Sequence, residues 1–238
     1  MTTTSRAVPG GPGRRPERPR LTERQEERRR RILKATAELA GRGGFDAVQM
    51  REVAERAGVA LGTLYRYFPS KVHLLVATLQ DQLRQLQETL RKRPPTAAEP
   101  GARVAQTLMR AFRALQREPQ LADAMVRALI FADRSVGPEV EVASRLTSAI
   151  ILDAMGAEGR PTPEQLSVAR VIEHTWHAAL ITWLSGRASS AQVRTDIETV
   201  CRLVGAPADG PGPSSRPAQV AGRAAGGEHG GGGRGVRP

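Results

Sequence analysis

Residues 51–71 read REVAERAGVALGTLYRYFPSK. Val53, Ala54 and Ala57 share one helical face, Gly58 supplies a turn, and a second short helix runs from Leu61 to Phe68 before Pro69 ends it. Proline cannot continue a hydrogen-bond ladder, so the stop is physical. Leu64 and Phe68 lie four apart and face inward, which turns Gly62, Thr63, Tyr65, Arg66 and Tyr67 toward other faces. Helix, tight turn and helix in this order form the element that seats one helix in the major groove of DNA. The chain has only eight aromatic residues, and Tyr65, Tyr67 and Phe68 fall within four positions.

The flanks extend the pattern. Thr22 and Gln25 form a capping box that opens a first helix. Ile32, Leu33, Thr36, Leu39 and Ala40 then recur at helical spacing until Gly41, Gly43 and Gly44, with Phe45 and Val48 plugging the core below. Ser70 is the N-cap of a fourth helix that reaches about Arg93, ahead of Pro94 and Pro95. Further helical patterns lie near 101–117, 119–134, 138–156, 163–186 and 189–205, with Pro138, Pro161 and Pro163 at breaks or first turns. Strand-like alternation is absent, so the fold class is all-α. The expected organisation is an Arg/Pro-rich disordered arm over 1–20, a helix-turn-helix domain over 21–70, a connecting helix over 71–93, a ligand-binding and dimerisation domain over 101–205, and a disordered Gly/Pro/Ala/Ser tail over 206–238.

With 238 residues the chain can bury a real core. Its net charge of +12 suggests a polyanionic partner, but the charge sits mainly toward the two ends, with a net of +2 in residues 206–238. Residues 1–31 hold ten Arg and four Glu, a net of +6, so the motif carries more weight than the total. One cysteine, Cys201, permits no intrachain disulfide and fits a reducing cytosol. No apolar run approaches the roughly 20 residues of a membrane span, and no hydrophobic segment follows the basic N-terminus. The reading is a cytoplasmic protein without a membrane partner.

Double-stranded DNA is the expected partner of Arg51, Leu61, Gly62, Thr63, Tyr65, Tyr67 and Lys71. The Thr63, Tyr65 and Tyr67 hydroxyls suit phosphate oxygens, which fix register on the duplex. Gly62 allows close approach, and Leu61 with the Thr63 methyl suits a thymine methyl. Lys71, in the first turn of the fourth helix, opposes the helix dipole unless a phosphate docks there. Arg14 through Arg31 can reach a minor groove or thicken the positive field, but the consecutive Arg28 to Arg31 cannot all face one partner.

Met109, Phe112, Leu115, Met125, Leu129, Phe131, Met155, Trp176 and Leu180 spread over several helices of the second half. They serve equally as ordinary core or as the wall of a pocket for a large apolar ligand. Glu173, His174 and His177 form EHTWH, which lacks the four-residue histidine spacing of a metalloprotease and reads as hydrogen-bonded buried or interface groups. The sequence holds no Gly-rich phosphate loop, no G-x-S-x-G elbow and no convincing carboxylate pair. The reading is therefore neither an enzyme nor a protein with a cofactor or metal.

The stretch AGVALGTLYRYFPSK resembles the TetR family of bacterial repressors, the likeness being strongest over about Arg28 to Leu86. That resemblance implies an all-helical homodimer whose subunits each carry a DNA-binding domain and a larger ligand-binding domain, paired through the last two long helices. Residues 48–77, 117–135, 149–156, 171–189 and 197–204 are further similar to KstR-type repressors of cholesterol catabolism in actinobacteria. This implies a hydrophobic effector, a sterol-derived acyl-CoA thioester. Ala60, Met50, and Val72 with His73 depart from the general TetR pattern, leaving the recognition helix without a capping hydroxyl and Ser70 without a capping-box partner. Two alternatives remain open at this level: a regulator sensing another hydrophobe such as a fatty acyl-CoA or drug, and a ligand-independent DNA-binding protein.

Overall fold

In the computed structural model, residues 22–157 and 159–205 are described, and the described residues form nine α-helices. The arm over 1–20 and the tail over 206–238 lie outside them. The helices are α1 (Glu23–Ala47), α2 (Met50–Ala57), α3 (Leu61–Tyr67), α4 (Lys71–Lys92), α5 (Pro100–Arg117), α6 (Pro119–Ile130), α7 (Gly137–Met155), α8 (Pro163–Leu184) and α9 (Ser190–Gly205).

The ends have local causes. Thr22 makes the expected capping box with Gln25 at the start of α1. The α1 backbone leaves helical geometry at Gly43 and Gly44, and one more turn reaches Ala47. Gly58 ends α2 at φ 64°, a left-handed conformation that favours glycine and closes the tight turn. Ser70 Oγ accepts from the His73 backbone N–H at 3.4 Å and lies 2.9 Å from His73 Nδ1, so the His73 side chain supports the cap where an acidic residue is missing. Ala60 caps α3 with no side-chain hydrogen bond. α6 stops at Ile130, four residues before its sequence pattern runs out. There Asp133 Oδ1 accepts from both the backbone N–H and the hydroxyl of Ser135, a local turn that competes with helix.

Two apolar cores result. The first joins Ile32, Leu39, Val48, Val53, Leu64, Phe68, Leu74 and Leu75 of α1–α4 and their junctions with Leu121, Ala124, Met125 and Ala128 of α6. The second joins α5, α7, α8 and α9 through Val104, Met109, Phe112, Ile151, Trp176, Ile197 and Cys201. Leu115 packs against both. Among the described residues no helix is long and apolar enough to cross a membrane.

Two consequences can be measured. Ala60 has the extended backbone of an N-cap, so Ala60→Ser is expected to add about 1 kcal/mol, raising Tm by roughly 2–4 °C. An unchanged melting temperature would mean the hydroxyl finds no donor there. Cys201 is 1% exposed and burial pushes its thiol up to about 12. Thiolate is the reactive form, so iodoacetamide at neutral pH should leave native Cys201 unlabelled and alkylate it after denaturation. Equal labelling rates by mass spectrometry in the two states would refute that.

Candidate DNA-binding helix and ligand cavity

α3 hangs from the first core by Leu64, which is fully buried, with Phe68 buried just beyond its end. That anchoring leaves Leu61 at 39% and Tyr65 at 46% exposure, so both present surface on the outer side of α3. Gly62 is exposed, and a Cβ built there would meet nothing within 4 Å. Thr63 and Tyr67 are half-buried, and the Tyr67 ring leans on Phe68 at 6.2 Å between centroids. Arg51, on the neighbouring α2, is exposed and among the described residues pairs only with Glu55 at 3.4 Å, a contact of little energetic weight.

Lys71 differs from these. Its ammonium donates to the Phe45 carbonyl at 3.2 Å and sits 4.1 Å from the Phe45 ring centroid, tying the start of α4 to the end of α1. Within the run Arg28 to Arg31, Arg29 turns inward over the Phe68 ring at 6.0 Å, and burial lowers its guanidinium pKa, partly offset by Glu26.

A cavity of about 880 Å³ lies among α4, α5, α6, α7 and α8. Leu115, Met125, Leu129, Trp176 and Leu180 line it. Met109, Phe112, Phe131 and Met155 do not. Met109 and Phe112 occupy the other apolar face of α5, where the Phe112 ring meets Trp183 edge-on at 5.0 Å and Trp176 at 6.4 Å. Phe131 lies past the end of α6, 53% exposed, edge-on to Phe45 at 5.3 Å. Met155 packs against the second core at the last turn of α7, where its carbonyl accepts from Arg103 Nη2 at 2.6 Å.

α4 contributes a stripe that sequence reasoning passed over: Leu79, Leu83, Leu86 and Leu90. Their 4-3-4 spacing is the signal, because this part of α4 extends past the small helical domain that its start completes. Basic groups at the cavity are Arg93, Arg110 and Arg117. Arg110 is held by the Arg93 carbonyl at 2.5 Å. Arg103 is committed to the carbonyls of Ala98, Ala154 and Met155, and Arg127 to Asp46 at 3.1 Å and Asp123 at 3.8 Å, so neither is a cavity cation.

One wall is polar. Glu173, 4% exposed, lines the cavity with His174 and His177 of α8 and Ser144 and Thr147 of α7. Ser148 Oγ donates to Glu173 Oε2 at 3.1 Å. Burial lowers the His177 pKa, with Glu173 opposing and His174 adding to the shift. Glu173, His174, Trp176 and His177 of EHTWH therefore line the cavity, and among the described residues no cluster of His, Cys, Asp or Glu is arranged to hold a metal.

Residues 32–78 match the family described as bacterial regulatory proteins, tetR family, and residues 97–204 match its tetracyclin repressor-like C-terminal domain. The chain belongs to the TetR family. It is 46% identical over 180 residues to the HTH-type transcriptional repressor KstR of Rhodococcus jostii (strain RHA1), a span of 76% of this chain and 84% of that one. A TetR transcriptional regulator from Rhodococcus sp. RHA1, known from its crystal structure, superposes with a TM-score of 0.72 at 40% identity, covering 76% of this chain and 97% of that chain. Thermus thermophilus FadR, crystallised with lauroyl-CoA, shares the fold at a TM-score of 0.59 and 22% identity, over 74% of this chain and 92% of that chain. The chain is thus a TetR-type DNA-binding repressor related to KstR, from a family of transcriptional regulators and not of enzymes.

Proposed function

We propose that the protein is a cytoplasmic, homodimeric repressor of sterol or lipid catabolism genes, released from its operator by a sterol-derived acyl-CoA thioester. The carrying observation is the cavity of about 880 Å³ walled by α4, the same helix whose first turn is fastened to the DNA-binding helices. At about 30 Å³ per water-sized group, this space takes roughly thirty such groups. That suits a sterol body, and leaves the nucleotide half of a CoA ester outside. Arg93, Arg110 and Arg117 are the basic side chains along the lining that suit its phosphates. The T. thermophilus relative binds lauroyl-CoA within the same fold. Exposed Leu166, Val171 and Leu203 on α8 and α9 favour pairing of two copies through those helices.

In this reading Arg51, Leu61, Gly62, Thr63, Tyr65, Tyr67 and Lys71 meet DNA, and the two α3 helices of a dimer enter successive major grooves about 34–36 Å apart. Ligand favours a second conformation in which α4 tilts and that spacing is lost. Only differential affinity for the two states drives the shift, with a coupling on the order of 1–3 kcal/mol.

Each half of the proposal has its own measurement. A titration of operator-length DNA, with and without a cholesterol-derived acyl-CoA, should show salt-sensitive binding weakened about 5- to 150-fold by the ligand. Unchanged operator affinity at saturating ligand would reject the inducer. For the DNA face, Gly62→Ala meets no protein atom and should leave Tm intact or slightly raised while lowering operator affinity. Tyr65→Phe should cost a phosphate contact across all sequences, about 1.5 kcal/mol. Wild-type affinity in both variants would place DNA elsewhere.

A further inference from the structure

The polar wall of the cavity is out of keeping with a site for hydrocarbon alone. Glu173 is nearly fully buried, yet the only hydrogen bond of its side chain among the described residues is the one from Ser148 to Oε2. No cation forms an ion pair with it among those residues. The other oxygen, Oε1, accepts no hydrogen bond among the described residues, and Glu173 is part of the cavity lining. A buried carboxylate accepts hydrogen bonds and cannot donate, and leaving it unpaired is costly. His177, one helical turn on, lines the same wall. Its neutral ring, the form that burial favours, carries one N–H donor and one acceptor.

We infer that Glu173 and His177 form a recognition site for a hydroxyl group carried on the apolar body of the ligand. The hydroxyl proton goes to Glu173 Oε1 and the hydroxyl oxygen accepts from the His177 ring N–H. Ser148 holds the carboxylate in place by its contact with Oε2. A ketone or ether at the same position satisfies His177 alone and leaves Oε1 unpaired. The wall therefore selects donors over acceptors, a discrimination that shape and apolar contact cannot provide. This rests on the reading of the cavity as the ligand site, and specifies what chemistry that ligand presents.

Two isomeric probes isolate the effect: 1-decanol, which donates, and methyl nonyl ether, which only accepts. Both chains are flexible enough to bring the oxygen to the wall. Binding to the full chain is followed by tryptophan fluorescence, in which Trp176 of the cavity lining reports beside Trp183. The alcohol should bind about tenfold more tightly than the ether, the ratio expected for a hydrogen bond to a charged group. Glu173→Gln, which keeps shape and a neutral acceptor, should cut that ratio at least threefold. Glu173→Met should abolish it while tightening the ether. If Glu173→Met does not fold, Glu173→Gln decides. Equal affinities for the two probes in the wild type, or a ratio that survives substitution, would overturn the hydroxyl site and leave the ligand cavity standing. Failure of both probes to bind would overturn the cavity reading together with it.

Discussion

Leu121, Ala124, Met125 and Ala128 of α6 complete the apolar core beneath α1 to α4, and the rest of the molecule is arranged around that shared packing. The same helix presents Ala122 and Val126 to the cavity, with Leu121, Met125 and Leu129 reaching both. Interiors packed to crystal-like density do not yield one wall at a time. In the proposed repressor, this shared packing is the route by which a ligand in the cavity bears on the core that holds α3. The second core, built on α5 and α7 to α9, supplies the opposing wall, which Arg103 fastens by bonding the Ala154 and Met155 carbonyls.

The seam between α1 and α6 is sealed by charge on aromatic faces. Phe45 sits edge-on to Phe131, with Lys71 over its ring at 4.1 Å and Arg127 at 5.6 Å. Arg127 also meets Asp46 of α1 and Asp123 of its own helix. α1, α4 and α6 thus converge on one ring. Lys71 contributes here whether or not DNA is present, so a loss of operator affinity in a Lys71 variant would combine a lost phosphate contact with a loosened seam.

How much of this is legible in the sequence depends on how local the cause is. The helix-turn-helix is readable because Gly58, Pro69 and Ser70 act within a few residues, and Leu64 with Phe68 fixes which face is wet. The helix ends are readable for the same reason, α6 excepted, where the Asp133 turn overrides a pattern that continues. The cavity lining is readable only in part because α5 is apolar on two faces. Leu108, Ala111 and Leu115 reach the cavity as well as the second core, Ala105, Met109 and Phe112 reach only the core, and composition does not distinguish them. Phe131 looks like core by type, but the Asp133 turn carries the chain outward and leaves it against Phe45. Glu173 is legible as unusual, since a carboxylate in an apolar helix demands partners, but its partner Ser148 lies 25 residues away on another helix.

The 22 residues of α4 make a rod about 33 Å long. One end is clamped by the Ser70 cap and the Phe45 carbonyl, and the far half lies beside a void instead of a filled core. A rod of that length amplifies angle into distance: a rotation of about 5° sweeps its tip through roughly 3 Å, close to the 3.4 Å separating successive nucleotides of a strand. In the proposed two-state repressor, a ligand that rotates α4 about its cavity end by that angle moves the DNA-reading helix fastened at its other end by about one base.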